Sequence, residues 1–252
     1  MMVHQICFSP TGGTRKVCEA LCGGLGDKVV ASELCVNEHD VKPVDVSADD
    51  LAVIGMPVFA GRVPALAVER LRGVRSNGAR CVVVAVYGNR DYDDALLEMR
   101  DVATEMGFRV VAGVAGIAEH SVVREFAAGR PDSADCEELA SFAARIREKL
   151  ASGCSEEVLS LPGNRPFKAV NPGPFPMADE SCGGCGVCSD VCPAGAISAD
   201  DMRGVDKARC ISCMRCVAVC PTGSRSLGGI EAVVAERLRG VCGVRKGNEL
   251  FL

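Results

Sequence analysis

VHQICFSPTGGTRKVCEALCGGL, residues 3–25, contains one complete strand–turn–helix unit. Val3 to Phe8 is predicted as a short buried strand, and the Gly/Thr turn after it leads into a predicted helix from Thr14 to about Leu25. The same alternation of apolar strand and amphipathic helix continues to about residue 150. Such an alternation predicts a parallel sheet that helices cover on both faces.

The later elements of this region follow at similar intervals. The predicted strands are Val29–Val36, Asp50–Met56, Cys81–Val86 and Arg109–Ala118, and the predicted helices are Pro64–Arg72, Tyr92–Met106 and Ser133–Leu150. Five strands with this rhythm fit a flavodoxin-like order, 2-1-3-4-5, better than a barrel. The predicted fold class of residues 1–150 is therefore α/β, a doubly wound parallel sheet.

The character of the sequence changes after this region. Residues 151–180 are rich in proline and glycine and show no periodicity, so they are predicted as a linker or wrapping arm. Residues 181–222 contain dense cysteine runs and are predicted as a small α+β domain. Residues 223–252 are predicted as a C-terminal helix, Gly229–Gly240, and a short extended end that docks on the rest of the chain.

Half of the 16 cysteines lie in two runs with one spacing, C-x-x-C-x-x-C-x-x-x-C-P. The runs consist of Cys182, Cys185, Cys188, Cys192 and Pro193, and of Cys210, Cys213, Cys216, Cys220 and Pro221. Three cysteines at this spacing can hold one 4Fe–4S cluster, and the fourth, before proline, typically ligates the other cluster. The predicted ligand sets are Cys182, Cys185 and Cys188 with Cys220, and Cys210, Cys213 and Cys216 with Cys192.

Structural zinc is the alternative use of C-x-x-C pairs. Zinc takes its four ligands from two pairs separated by a longer loop, not from three close cysteines and a distant fourth before proline. The repeated spacing therefore favours two 4Fe–4S clusters, and Gly183, Gly184 and Gly186 would let the backbone approach their sulfides. The pattern resembles that of bacterial two-cluster ferredoxins, which implies low-potential one-electron chemistry.

Three loops at the carboxyl ends of predicted strands can converge on one ligand at the switch point of such a sheet. The first, Ser9–Thr14, places hydroxyls and glycines at a helix N-terminus, which suits a phosphate group. A helix N-cap with a glycine turn is the structural alternative for this loop. The candidate binding residues are Ser9, Thr11, Gly12, Gly13, Thr14, Pro57, Val58, Phe59, Ala60, Gly61, Tyr87, Gly88, Asn89, Arg90 and Tyr92.

Together the three loops resemble a flavodoxin-type FMN site. By that resemblance Ser9–Thr14 would hold the phosphate of FMN, and Phe59 and Tyr92 would cover the faces of its ring. Unlike typical flavodoxins, the chain has no Trp and presents Arg62 and Arg90 in these loops.

The whole arrangement resembles a family of flavodoxin–ferredoxin fusion proteins, the EFR-type ferredoxins. This resemblance is carried by Ser9–Thr14, Gly55–Pro64, Val86–Leu96, Glu119–Ser121, Arg130–Asp132 and the two cysteine runs. It implies a redox protein with two 4Fe–4S clusters and FMN.

The predicted function is the relay of electrons between the clusters and FMN, as a carrier or as an iron–sulfur flavoprotein oxidoreductase. The alternative is an iron–sulfur sensor or binding module whose flavodoxin-like domain lacks flavin. No catalytic residue is predicted, because the sequence contains no Ser–His–Asp set, paired carboxylates or nucleotide signature. His120 after the fifth strand is a candidate donor to flavin or substrate, with a structural role as its alternative.

The amino-acid composition limits the classes of partner that are expected for this protein. A net charge of −5 argues against a nucleic-acid-binding surface, and a redox protein such as a ferredoxin or a reductase is the expected partner. The sequence shows no leader and no apolar run of about 20 residues, so no membrane span is expected. Cysteines used for clusters fit a reducing compartment, and a cytoplasmic location is expected.

Overall fold

The computed structural model describes residues 1–153, 158–170 and 173–252. The strands are β1 (Val3–Cys7), β2 (Val29–Glu33), β3 (Val44–Asp45), β4 (Leu51–Pro57), β5 (Val74–Arg75), β6 (Arg80–Tyr87), β7 (Arg109–Ile117), β8 (Met177–Ala178), β9 (Arg225–Ser226) and β10 (Glu249–Phe251). The helices are α1 (Gly13–Leu25), α2 (Ala65–Leu71), α3 (Ala95–Glu105), α4 (Ser133–Ser152), α5 (Val187–Asp190), α6 (Arg215–Ala218) and α7 (Ile230–Cys242), with a 3-10 helix at Glu38–Asp40.

The main sheet has the strand order β10-β7-β6-β4-β1-β2. Its strands are parallel except β10, which pairs antiparallel with β7. Since β3 and β5 pair with each other in a separate sheet, the five parallel strands of the main sheet follow the order 2-1-3-4-5. The prediction of a flavodoxin-like α/β fold is therefore confirmed.

Helices cover both faces of this sheet. On one face α1 and α4 bury Val17 and Leu21 together with Leu139, Phe142 and Ile146. The residues of α4 recur at helical spacing, so one apolar stripe of the helix faces the sheet. On the other face α2 and α3 bury their own apolar stripes against the sheet. The carboxyl ends of the strands remain open between the two layers.

One end of a predicted strand differs from the sequence-based expectation, and the docking place of the C-terminal segment becomes defined. The second strand stops at Glu33 and not at Val36, because the Glu33 carboxylate accepts hydrogen bonds from the backbone N–H of Ser9 at 3.0 Å and of Cys35 at 2.9 Å. The chain therefore turns towards the first loop. The C-terminal extended segment docks as β10 on the outer edge of β7, with Leu250 opposite Val114.

The segment between α4 and the cysteine-rich part packs along α3. The Asp94 carboxylate accepts from the backbone N–H of Asn164 at 2.9 Å and of Lys168 at 2.8 Å. The Arg62 guanidinium donates to the Lys168 carbonyl at 2.7 Å and lies 4.7 Å from the centre of the Phe167 ring. Residues 154–157 and 171–172 of the predicted linker lie outside the described residues.

The cysteine-rich part contains the antiparallel pair β8–β9 and the short helices α5 and α6. Arg225 is buried at its centre and donates to the carbonyl oxygens of Pro176 at 2.8 Å and Gly204 at 3.1 Å. The Arg225 side chain therefore connects three separate stretches of the cysteine-rich part. Among the described residues, no helix is long and apolar enough to cross a membrane.

Candidate cofactor sites

A cleft of about 380 Å³ opens at the carboxyl ends of β1, β4, β6 and β7. This is the edge at which an open parallel sheet binds its ligand. The predicted residues that line it are Thr11, Gly13, Thr14, Pro57, Val58, Phe59, Tyr87 and Gly88. The lining residues outside the predicted FMN-binding set are Pro10, Val86, Ala118, Glu119, Ser121 and Cys213.

The first loop presents its backbone to the cleft. Gly12 has φ 90°, and α1 begins after it without a side-chain cap at that position and without an acidic residue in its first turn. A Cβ on Gly13 would lie 2.8 Å from the Cβ of Ala118, so glycine is needed for the two loops to approach. A helix N-terminus whose first turn carries no acid favours an anion such as phosphate.

Ser9 supports this loop from behind. It is 1% exposed, and its hydroxyl accepts from the backbone N–H of Arg15 at 3.0 Å. The Arg15 guanidinium in turn donates to the Glu33 carboxylate at 3.0 Å. Ser9 thus takes up one N–H group of the first turn of α1, whereas Thr11 and Thr14 line the cleft.

The second loop holds Phe59 at the cleft through a tight turn. Phe59 and Arg62 exchange backbone hydrogen bonds of 2.9 and 3.1 Å, and Ala60 and Gly61 between them have φ 51° and 86°. Positive φ at both central residues is typical of a type I′ turn. Ala60 and Gly61 do not line the cleft, and Arg62 turns away to the Glu98 carboxylate at 2.7 Å.

In the third loop, three of the predicted binding residues have partners within the protein. Asn89 is 2% exposed, and its amide nitrogen donates to the carbonyl oxygens of Cys242 and Val244, each at 2.8 Å. Arg90 forms an ion pair with Asp93. With φ 64° at Asn89 the chain leaves the cleft, so Asn89, Arg90 and Tyr92 are not among its lining residues.

Tyr92 packs against Tyr87. The two rings meet edge to face with centres 5.4 Å apart, and the Tyr92 hydroxyl donates to the Glu249 carboxylate at 3.1 Å. Tyr87 lines the cleft and is the aromatic residue that this loop contributes.

His120 has the structural role that was its alternative. Its Nδ1 accepts from the backbone N–H of Val122 at 3.2 Å and of Val123 at 3.0 Å. Burial, together with the charge of Arg90, lowers the pKa of His120 below its ordinary value. The imidazole is therefore neutral at pH 7 and orders the loop that follows β7.

The cysteines gather around two cavities. One of about 340 Å³, here called the proximal cavity, is lined by Cys192, Cys210, Cys213 and Cys216 among others. The other, of about 400 Å³ and called the distal cavity, is lined by Cys182, Cys185, Cys188 and Cys220. Each cavity thus takes three cysteines from one run and the last cysteine of the other run, as the predicted ligand sets require.

Unpaired donors beside these cavities fit a group that accepts hydrogen bonds. Within the described residues, the buried side-chain polar atoms without a partner are Ser212 Oγ, Arg215 Nε and Arg225 Nε. Arg215 lines the proximal cavity and Arg225 lines the distal cavity. Ser212 lies between Cys210 and Cys213 in the chain. The thiolates and sulfides of a 4Fe–4S cluster can accept from such donors.

In the described ranges, no group of three or more His, Cys, Asp or Glu side chains is arranged to hold a metal ion. A four-iron cluster is larger than one ion, so its ligands are spread around a cavity.

Two arginines join the cysteine-rich part to the α/β part. Arg70 on α2 is 8% exposed and donates to the carbonyl oxygens of Leu34 at 2.9 Å and Pro193 at 2.7 Å. Arg215 on α6 reaches the carbonyl oxygen of Pro10 at 3.4 Å. These contacts bring Cys213 to the wall of the cleft, where it lines both the cleft and the proximal cavity.

Comparison with protein families agrees with the cysteine arrangement. Residues 181–224 match a family described as a 4Fe-4S dicluster domain. The match covers both cysteine runs, so the prediction of two 4Fe–4S clusters is confirmed. It also supports a role in electron transfer.

Solved structures similar to this chain include flavodoxins. One is from Streptococcus pneumonia TIGR4, with 18% identity, a TM-score of 0.42 and coverage of 59% of this chain and 99% of that chain. Another is from Megasphaera elsdenii, with 17% identity, a TM-score of 0.39 and coverage of 57% and 99%. No curated protein matches the chain. The fold assignment rests on the strand order, and the EFR-type label stays a prediction.

Proposed function

Because the chain joins a flavodoxin-like sheet to a 4Fe-4S dicluster domain, we propose that it relays electrons between two 4Fe–4S clusters and FMN bound in the cleft. The observation that carries this proposal is Cys213, which lines both the proximal cavity and the cleft. FMN, when bound, exchanges electrons singly or in pairs, whereas each cluster exchanges one. The chain would serve as a carrier or as an oxidoreductase for an acceptor still to be identified.

The lining residues fit the parts of FMN. Thr11, Gly13 and Thr14 would hold the phosphate with hydroxyls and with the N–H groups of the first turn of α1. Phe59 and Tyr87 would pack against the ring, so Tyr87 would take the role that was predicted for Tyr92. Burial raises the pKa of Tyr87 well above its ordinary value, and its hydroxyl therefore stays protonated.

The two clusters would occupy different positions in the relay. Three of the proximal ligands, Cys192, Cys213 and Cys216, are 8–9% exposed, whereas Cys185 of the distal set is exposed. A partner protein can approach the distal cluster, and the proximal cluster lies beside the cleft. The proposed route therefore runs from an external redox protein through the distal and proximal clusters to FMN, or in reverse. A single chain keeps these centres together without a diffusional encounter.

An anaerobic preparation tests the proposed function. We expect about eight iron atoms per chain, as two four-iron clusters require, and one FMN. Reduced ferredoxin should then bleach the flavin absorbance. Iron without flavin, after reconstitution with FMN, would contradict the relay and support the sensor alternative. Flavin reduction by NADH or NADPH, but not by ferredoxin, would support an oxidoreductase that works without an iron–sulfur donor.

Substitution of Gly13 tests the cleft as the FMN site. We expect Gly13→Val to weaken FMN binding at least about tenfold, which corresponds to about 1.4 kcal/mol. The added side chain would meet Ala118 and displace the first loop from the phosphate. Fluorescence titration of the flavin-free protein with FMN measures the dissociation constant.

Gly23→Ala is the matched control on the same helix. A Cβ at Gly23 meets nothing within 4 Å, and the residue is exposed. The alanine should leave FMN affinity unchanged and stabilise the helix by about 0.5–1 kcal/mol. Equal FMN affinities for Gly13→Val and the parent protein would place the flavin elsewhere.

A further inference from the structure

We propose that Arg215 is a tuning residue whose guanidinium places an uncompensated positive charge between the cleft and the proximal cavity and raises the reduction potential of the proximal cluster. The cluster side of this inference rests on the proposed function, in which Cys192, Cys210, Cys213 and Cys216 ligate that cluster. The role is distinct from ligation, and it concerns a side chain that sequence analysis did not single out.

The position of Arg215 follows from the second cysteine run. It is the first residue of α6 and stands between Cys213 and Cys216 in the chain. Its side chain lines the proximal cavity and is half-buried. At its other end, Nη1 lies 3.4 Å from the carbonyl oxygen of Pro10, a residue of the cleft wall. One guanidinium therefore borders both cofactor sites.

The charge of this guanidinium has little compensation from the protein. Its contacts among the described residues are the long hydrogen bond to Pro10 and a 3.9 Å contact from Nη1 to the Cys35 sulfur, which is a weak acceptor. Nε is buried and has no partner. No carboxylate within the described ranges pairs with it. Charges withdrawn from water without a partner are costly, so an anionic group is expected beside Arg215.

Two other buried arginines, Arg70 and Arg225, differ from Arg215 in how they use their hydrogen-bond donors. Arg70 donates to the carbonyl oxygens of Leu34, Val36 and Pro193. Arg225 donates to those of Pro176, Met202 and Gly204. Each of these side chains uses its donors to hold backbone segments together, which is a structural role. Arg215 has one backbone acceptor at 3.4 Å, and its donors and charge remain available to a bound group.

The effect on the cluster follows from electrostatics. Reduction adds one negative charge to a cluster, so a nearby cation stabilises the reduced form more than the oxidised form. Screening by salt is weaker at the buried Arg215 Nε than at an exposed arginine. A hydrogen bond to a cluster sulfur acts in the same direction. The proximal cluster is therefore easier to reduce with Arg215 than without it.

Redox titration of the holo protein, followed by EPR, tests this inference. We expect Arg215→Gln to lower the midpoint potential of the proximal cluster by the equivalent of about a tenfold change in its reduction equilibrium, or about 59 mV for one electron. The potential of the distal cluster should move much less. The proximal signal is identified by its absence in a Cys213→Ala protein.

Two variants control the experiment. Arg209→Gln removes an exposed arginine next to Cys210 and should leave both potentials unchanged, because water screens its charge. Arg215→Lys keeps the charge and should keep the proximal potential close to that of the parent. If Arg215→Gln loses iron, the proximal potential of Arg215→Lys tests the inference instead.

Two results would overturn the inference. One is an unchanged proximal potential in Arg215→Gln, and the other is a potential in Arg215→Lys as low as that of the glutamine variant. The outcome is separable from the proposed function. A protein with both clusters but no FMN would defeat the relay, yet the potential shift can still be measured in it.

Discussion

Replacement of Cys213 by alanine is expected to remove the proximal cluster and to disconnect the flavin from the distal cluster. The iron content of the anaerobic protein should fall from about eight to about four atoms per chain. Reduced ferredoxin should no longer bleach the flavin absorbance at its original rate. Cys213 has this effect because it lines both the proximal cavity and the cleft.

Iron analysis and stopped-flow absorbance measure the two effects of this change. Cys136→Ala is the matched control, since Cys136 is an exposed residue of α4 outside both cysteine runs. That protein should keep its iron and its rate of flavin reduction. A Cys213→Ala protein that retains about eight iron atoms would contradict the ligand assignment. Loss of iron with an unaltered rate of flavin reduction would contradict the route through the proximal cluster.

The buried ion pair of Arg130 and Asp135 should contribute strongly to the stability of the fold. We expect Asp135→Asn to lower the free energy of unfolding by about 3–5 kcal/mol, because it leaves the Arg130 charge buried without its partner. Arg130 is 5% exposed and Asp135 is 1% exposed, and Arg130 Nε donates to the Asp135 carboxylate at 2.8 Å. The same carboxylate accepts from the Asn248 amide at 3.1 Å, which links the pair to the segment before β10.

Urea denaturation under anaerobic conditions measures this loss. Glu105→Gln is the control, because its ion pair with Arg72 is exposed and such pairs contribute about 0–1 kcal/mol. A loss below about 1 kcal/mol for Asp135→Asn would contradict the structural importance of the buried pair.

The pH dependence of this stabilisation has a defined sign. Burial by itself would raise the pKa of Asp135, but the hydrogen bonds from Arg130, the Asp132 backbone and Asn248 hold it below its ordinary value. A carboxyl whose pKa is lower in the folded state stabilises the protein at pH above its unfolded value, about 3.9. The stability difference between the parent protein and Asp135→Asn should therefore narrow as the pH falls below about 4. An unchanged difference at low pH would contradict this assignment.

Much of the candidate site could be predicted from local patterns in the sequence. The period of apolar residues predicted the strands and helices, and the strand rhythm predicted the sheet order that the structure shows. The loops after β1, β4 and β6 were expected at one edge, and each contributes to the cleft. The loop after β7 contributes Ala118, Glu119 and Ser121, which could have been found because it lies at the same edge.

The partners of several loop residues could not be predicted from the local sequence. Asn89, Arg90 and Tyr92 lie in a loop with the expected position, yet their side chains meet the C-terminal segment, Asp93 and Glu249. A loop sequence gives the hydrogen-bonding capacity of its residues but not the partner that will approach them. For Asn89 and Tyr92 that partner comes from a segment more than a hundred residues away in the chain.

The cysteine spacing by itself determined the number and the type of clusters, because the reach of a short turn decides which thiolates can meet around one cluster. The periodicity likewise determined the α/β sheet, since burial of an apolar face depends on neighbours along the chain. Only the tertiary structure decided which cluster site borders the cleft. Cys213 and Arg215 reach Pro10 and the other loops through packing between distant segments, and the free energy of that packing is not contained in any local pattern.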